Sequence, residues 1–283
     1  MKLLYAAALA ALAGAPLAAS AQSTADEKAD TTAAPTSPIT VSGAATIASD
    51  YRFRGVSQSD RQMAVQGGLT VTHESGFYVG TWASNLAGWG TFGGANMELD
   101  LIGGYKHAVG GGAIDVGLTW YMYPGGFDNT DFAEPYAKLS GTIGPVNLLA
   151  GVAYAPKQEA LGNWSNTPQS RIGDKEDNLY LWGDFSAGVP QTPVTVKAHI
   201  GYSDGNPGLG PNGTSVAPTG KYWDWMAGAD LAIKGTPLTL GVAYVDTDID
   251  FSKTGYLQPN FSSTKDGGPI SGAQVVFSVT AAF

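Results

Sequence analysis

Cysteine is absent from the 283 residues, which excludes disulfide scaffolds, thiolate–zinc sites, iron–sulfur clusters and thiol nucleophiles. Charge is scarce. Asp, Glu, Lys and Arg make up 14% of the chain, against about 25% in ordinary globular domains. Bases are outnumbered 15 to 24, for a net charge of -9, so the Lys/Arg patches that hold phosphate backbones are missing and nucleic acid is excluded as a partner. There are only three His. Mean hydropathy is -0.04, so helical membrane spans cannot be numerous. What remains is 39 Gly and 11% aromatic residues. That is too much bulk and too little charge for a disordered chain, and it points to β-structure.

The chain begins with Lys2, an Ala/Leu run to Ala13, and a small-residue end at Ala19-Ser20-Ala21. A basic start, a short apolar stretch and an A-x-A site read as a secretory signal, 1–21, cleaved after Ala21. Gly14 and Pro16 interrupt the stretch, which argues against a membrane anchor of about 20 unbroken apolar residues. Residues 22–38 are Ser, Thr, Ala, Asp, Glu, Lys and Pro with little to bury, and read as a flexible periplasmic tether. The folded part starts at Ile39 and runs through 283.

From there the dominant period is two. Ile114, Val116, Leu118, Trp120 and Met122 alternate with Ala113, Asp115, Gly117, Thr119 and Tyr121, which puts one set on each face of a strand. Marking such runs predicts about twelve strands: 39–53, 62–73, 77–86, 96–108, 113–123, 132–143, 146–154, 177–189, 194–202, 222–233, 238–246 and 270–283. Most exceed the ~5–6 residues of soluble strands and suit the ~9–11 that cross a bilayer. Connections alternate long and short, with the short ones at Glu74-Ser75-Gly76, 109–112, Gly144-Pro145, 190–193 and 234–237. That order describes an all-β, transmembrane, up-and-down antiparallel barrel with short periplasmic turns and long extracellular loops. A Greek-key sandwich would not keep it.

The second row of each strand holds Asp50, Arg52, Glu98, Asp100, Lys106, Asp115, Lys138, Asp184, Lys197, Asp224 and Asp230. A soluble barrel would bury those charges at several kcal/mol each unless paired. A membrane barrel turns them to a watery lumen and its oily row to lipid. The chain ends Phe277-Ser278-Val279-Thr280-Ala281-Ala282-Phe283. Phe277, Val279, Ala281 and Phe283 form an apolar alternation ending in Phe, resembling the C-terminal signal read by the outer-membrane barrel-assembly machinery. Tyr105, Trp120, Tyr123, Tyr154, Tyr202, Trp223, Trp225, Tyr244 and Phe283 lie near strand ends, where amphipathic rings form interfacial girdles.

The segment Ser49-Asp50-Tyr51-Arg52-Phe53-Arg54-Gly55-Val56-Ser57-Gln58, then Ala64-Val65-Gln66-Gly67-Gly68, resembles the opening of the proteobacterial TorF family of porin-like proteins, also called the Gcw type. Gly76-Phe77-Tyr78-Val79-Gly80-Thr81-Trp82-Ala83-Ser84-Asn85, Glu98-Leu99-Asp100, Gly103-Gly104-Tyr105-Lys106, Tyr121, Tyr123-Pro124-Gly125 and Glu134 continue the pattern. It covers most of 40–283. The resemblance implies an outer-membrane, porin-like protein and carries over no substrate.

Asp50, Arg52 and Arg54 are expected on one face of the first strand, and Glu98 with Asp100 on the lumen face of the fourth. Opposed acidic and basic rows make a charge filter, whereas lumen ion pairs tie strands together; both readings stand at this point. Acids exceed bases in the lumen row, which favours weak cation preference. Tyr78, Trp82, Tyr121, Tyr180, Trp182 and Tyr222 also take lumen phases, as a stacking wall or as filler between the packed interior of eight strands and the open one of sixteen.

Catalysis finds little support. His73 and His107 take outward phases near short turns, His199 lies beside Lys197, and no Ser motif accompanies them. Gly208-Leu209-Gly210-Pro211-Asn212-Gly213 lacks the following helix of a dinucleotide fingerprint. Asp204-Gly205-Asn206-Pro207 lacks EF-hand spacing. Asp246, Asp248 and Asp250 form an acidic rim. The expectation is a cofactor-free, metal-free Gram-negative outer-membrane channel for passive diffusion of small hydrophilic solutes, in contact with lipid and lipopolysaccharide. The alternative is a non-conducting barrel whose loops, 155–176, 203–221 and 247–269, bind a ligand, surface or partner.

Overall fold

A computed structural model describes residues 37–162, 173–208, 216–258 and 260–283. The signal, nearly all of the tether and parts of three long loops lie outside the described residues. The elements in chain order are β1 (Ile39–Ala48), β2 (Arg52–Phe53), β3 (Val56–Ser57), β4 (Ala64–His73), β5 (Phe77–Asn85), β6 (Met97–Val109), β7 (Gly112–Met122), β8 (Phe132–Ile143), β9 (Val146–Gln158), β10 (Glu176–Gly188), β11 (Val194–Gly205), β12 (Lys221–Ala232), β13 (Leu238–Thr247), α1 (Phe251–Leu257) and β14 (Gln274–Ala282).

Twelve of the strands close a barrel in the order β1-β14-β13-β12-β11-β10-β9-β8-β7-β6-β5-β4, every pair antiparallel. β2 and β3 pair only with each other. Closure is completed where Gly43 and Phe283 exchange backbone hydrogen bonds at 2.8 and 2.9 Å. No strand edge is left open, so the wall's backbone groups are satisfied within the sheet.

Alternation sorts the two faces as the pattern requires. Val41, Ile47, Phe77, Val79, Leu101, Ile200 and Phe277 stand half exposed or more on the outer surface. Asp100, Asp115, Glu134, Lys138, His199 and Asp224 are buried inside. Several inward aromatic side chains press against a glycine of the neighbouring strand. At Gly151 an added Cβ would stand 2.2 Å from the Trp182 ring, and at Gly117 it would stand 2.5 Å from the Tyr136 hydroxyl. The small residues in the wall make room for large ones in the lumen.

Several strand boundaries depart from the sequence expectation: β9 runs on to Gln158 rather than 154 and β11 to Gly205 rather than 202. The first strand stops at Ala48 instead of reaching 53, and the last begins at Gln274 instead of 270. Asp50, Arg52 and Arg54 therefore do not share a face of the first strand. They belong to a segment, 49–63, that leaves the wall and folds into the barrel. Its tip is the β2–β3 hairpin, turned by Arg54 (φ 47°) and Gly55 (φ 79°). Two successive positive φ angles are the mark of the tight turn that matches strand twist. Gly55 is required there twice over, because a Cβ would also meet Thr247 Cγ2 at 2.3 Å.

Candidate functional site

The lumen has two halves. The half nearer the long loops is filled by the inward segment. Ser57 and Ser59 hydroxyls donate to Asp50 Oδ1 at 2.5 and 3.1 Å, and Arg52 Nε donates to Asp50 Oδ2 at 2.6 Å. Arg52 Nη1 also donates to the carbonyls of Gly55, Ile270 and Gly272. Arg54 forks onto Glu134 of β8 at 2.7 and 2.8 Å, and its other nitrogen meets Asn178 Oδ1 of β10 at 2.6 Å. Its guanidinium sits 4.1 Å over the Tyr180 ring. Tyr222 of β12 donates to the Arg54 carbonyl at 2.9 Å, and Tyr51 donates to Glu98 Oε1 of β6 at 2.7 Å.

Contacts to β6, β8, β10 and β12 at once place the hairpin across the bore. Tyr51 is 0% exposed, Arg52 1% and Arg54 4%. Burial pushes the Asp50 carboxyl up, against the pull of Arg52 and the two serines. Burial works against the Arg54 charge, but Glu134 outweighs it and holds the guanidinium above its ordinary value. Burial, then Glu98 and Asp100, push the Tyr51 phenol well above its usual range, and the same holds for Tyr123. Both phenols keep their protons and remain donors.

Tyr123 thus corrects the girdle expectation. It shares parity with Tyr121, packs inside on Phe92 with ring centroids 4.7 Å apart, and bonds Glu98. Trp120, Tyr154, Trp223, Tyr244 and Phe283 do lie exposed.

Towards the short turns, wall residues engage one another. Lys197 Nζ reaches both Asp230 oxygens at 2.7 and 2.8 Å. His199 lies between Asp184 (2.7 Å) and Asp224 (3.2 Å), with the Tyr180 hydroxyl at 2.9 Å. Tyr78 donates to Asp115 at 2.6 Å and meets the Tyr136 hydroxyl, over whose ring Lys138 Nζ stands at 3.9 Å. Lys106, Asp115 and Lys138 are register partners across β6, β7 and β8. These charges occupy β6–β8 and β10–β12. The inward positions of β13, β14, β1, β4 and β5 hold none, and Thr46 and Thr280 share a hydroxyl hydrogen bond at 2.9 Å there.

Several of the proposed filter residues therefore fall into pairs: Asp50 with Arg52, Lys197 with Asp230, and Arg54 with Glu134. Glu98 and Asp100 have no basic partner among the described residues. The lumen aromatics divide likewise: Trp82 packs edge-on against Tyr51, Tyr121 stacks on Phe132, and Tyr180 stacks on Trp182. Sequence reasoning missed Tyr51, Ser57, Ser59 and Asn178 as members of the site. The Arg54-Gly55 turn signal was the available clue to the hairpin.

The remaining candidates take ordinary roles. His73 meets the Ser75 hydroxyl on an exposed turn, and His107 stacks on Tyr105. Asp246 accepts from Tyr244, Asp248 from the Trp223 amide, and Asp250 caps α1 through Ser252. The glycine-rich stretch after Gly208 lies largely outside the described residues.

A family model described as a bacterial protein of unknown function, Gcw_chp, matches residues 32–283. No curated protein matches the chain. Among solved structures, it is similar to the NanC porin in a rhombohedral crystal form, at 10% identity and TM-score 0.52, over 86% of this chain and 99% of that one. It is also similar to a porin refined at 1.8 Å (11%, TM-score 0.43, 87% and 100%). The outer-membrane channel DcaP of Acinetobacter baumannii matches at 11%, TM-score 0.39, over 87% and 97%. At these identities the likeness to NanC is one of fold.

Proposed function

The chain belongs to the bacterial Gcw_chp family, and we propose that it is a porin-like channel of a Gram-negative outer membrane for passive diffusion of small hydrophilic solutes. One observation carries this reading: a closed barrel with its apolar row outside and its charges inside. That inversion suits lipid around the wall and water along the bore. The first residues supply an export signal cleaved after Ala21, the tether and short turns face the periplasm, and the long loops meet lipopolysaccharide and the exterior. Phe277, Val279, Ala281 and Phe283 act as the assembly signal. Filtration is by radius and lumen charge, without cofactor or energy coupling. Acids exceed bases along the bore, which supports a weak cation preference.

A second reading has its own observation. The hairpin tip fills the long-loop half, with Tyr51 and Arg52 almost wholly buried, which favours a barrel that does not conduct at rest and works through its loops. Recording refolded protein in a planar bilayer under a salt gradient separates the two. Discrete steps with a cation-biased reversal potential support diffusion. Steps only after 50–60 are replaced by a short linker mean that the hairpin closes the bore. No steps from either protein sink the channel reading.

A further inference from the structure

Glu98 and Asp100 stand two residues apart on the inward face of β6, so their carboxylates point the same way. The other inward carboxylates have donors. Asp50 has Arg52 and two serines, Asp115 has Tyr78, and Glu134 has Arg54. Asp184 and Asp224 share His199, and Asp230 has Lys197. Among the described residues Glu98 receives the Tyr51 and Tyr123 hydroxyls alone. Asp100 is 0% exposed, and neither of its oxygens has a hydrogen-bond partner among the described residues. Two adjacent buried carboxylates, one without a hydrogen-bond partner, must take up a proton or sit beside a positive charge, and no described residue supplies that charge.

Space adjoins them. Glu98 lines a cavity of about 30 Å³ with Phe53, Gln58, Trp89, Tyr123 and Tyr222. That is enough for one ion or a couple of waters. The buried Trp89 Nε1, which also lines this cavity, has no acceptor among the described residues.

We infer that Glu98 and Asp100 bind one divalent cation of the Ca²⁺ class beneath the inward hairpin. The charge of the pair matches a single divalent ion. Carboxylate and water oxygens are the hard donors Ca²⁺ takes, in flexible number. A softer metal would want His or Cys. Among the described residues no three His, Cys, Asp or Glu side chains converge as a metal cage, so the ion keeps waters and binds weakly, with Kd on the order of 10⁻⁴–10⁻³ M. Because Tyr51 and Tyr123 hold Glu98, occupancy braces the hairpin against β6.

The inference requires the folded barrel but not conduction, so the test is made in detergent on refolded full-length protein. Tb³⁺ replaces Ca²⁺, and its luminescence is excited through the neighbouring Tyr and Trp rings. Alongside, Tm is followed from EDTA to about 10 mM Ca²⁺. Expected are a Ca²⁺-competed Tb³⁺ signal and a Tm rise of roughly 3–6 °C. Both should be lost in D100N and E98Q and kept in the rim variant D246N. A Tm indifferent to Ca²⁺, or signals that survive both E98Q and D100N, overturn the site. Should D100N fail to refold, E98Q and competition in the native protein decide alone.

Discussion

The two halves of the lumen use the same residue types in different company. Near the long loops, the buried ion pairs among the described residues include a side chain carried in by 49–63, as in Arg54 with Glu134. Near the short turns the partners both belong to the wall, as in Lys197 of β11 with Asp230 of β12. A wall–wall pair stitches neighbouring strands that backbone hydrogen bonds already join. A loop–wall pair is what keeps a mobile class of element in one place. Charge in the first half therefore controls whether the bore is filled, and charge in the second controls what it is lined with.

Arg54 is the sharpest place to break that contrast. R54A removes the fork on Glu134 and leaves that carboxylate buried without a base, at a cost of about 3–5 kcal/mol. The hairpin should also lose its hold on Asn178 and Tyr180. Expected are a fall in Tm and larger or noisier conductance steps, with part of the stability restored in R54A/E134A. Unchanged stability and conductance would falsify the assignment of this pair as the anchor. G55A comes next. It forces a side chain into the left-handed turn and against Thr247, costing about 1–3 kcal/mol. Protease susceptibility of 49–63 should rise while the barrel still resists unfolding on a gel.

In the other half the effects shrink. K197A leaves Asp230 at a position where the pair's side chains are 10% and 8% exposed. Water from the open half can reach it, so about 1–2 kcal/mol is expected. The clearer readout is the reversal potential, which should move further towards cations. A shift towards anions would count against the lumen-charge reading.

The barrel was legible because its physics repeats every second residue for its whole length. Ile114 to Met122 reports lipid on one face and lumen on the other without reference to any distant residue. The inward hairpin was not legible for the same reason. Asp50, Arg52 and Arg54 continue the alternation of the strand before them, and a hairpin has the same period as a strand. Only Arg54-Gly55, as a turn dipeptide, broke the pattern. Tyr123 was a different kind of miss: its parity with Tyr121 already pointed inward, and proximity to a strand end outweighed it. The isolation of Asp100 could not be read, since pairing across the bore depends on where the loop lands.

The smallest effect belongs to the arc that carries no charge. Thr46 and Thr280 face each other across β1 and β14, the seam where the barrel closes. T46V removes their hydroxyl hydrogen bond and keeps the shape, for about 1 kcal/mol or less. The backbone ladder from Ala44–Ala282 to Ala48–Ser278 is untouched, so closure itself should survive. Conductance and selectivity should match the native protein within error, because no charge and no hairpin contact is altered. If T46V instead changed the reversal potential as much as K197A, solute would have to pass along the neutral arc, and the charged strands β6–β8 and β10–β12 would be structural stitching rather than the lining that ions meet.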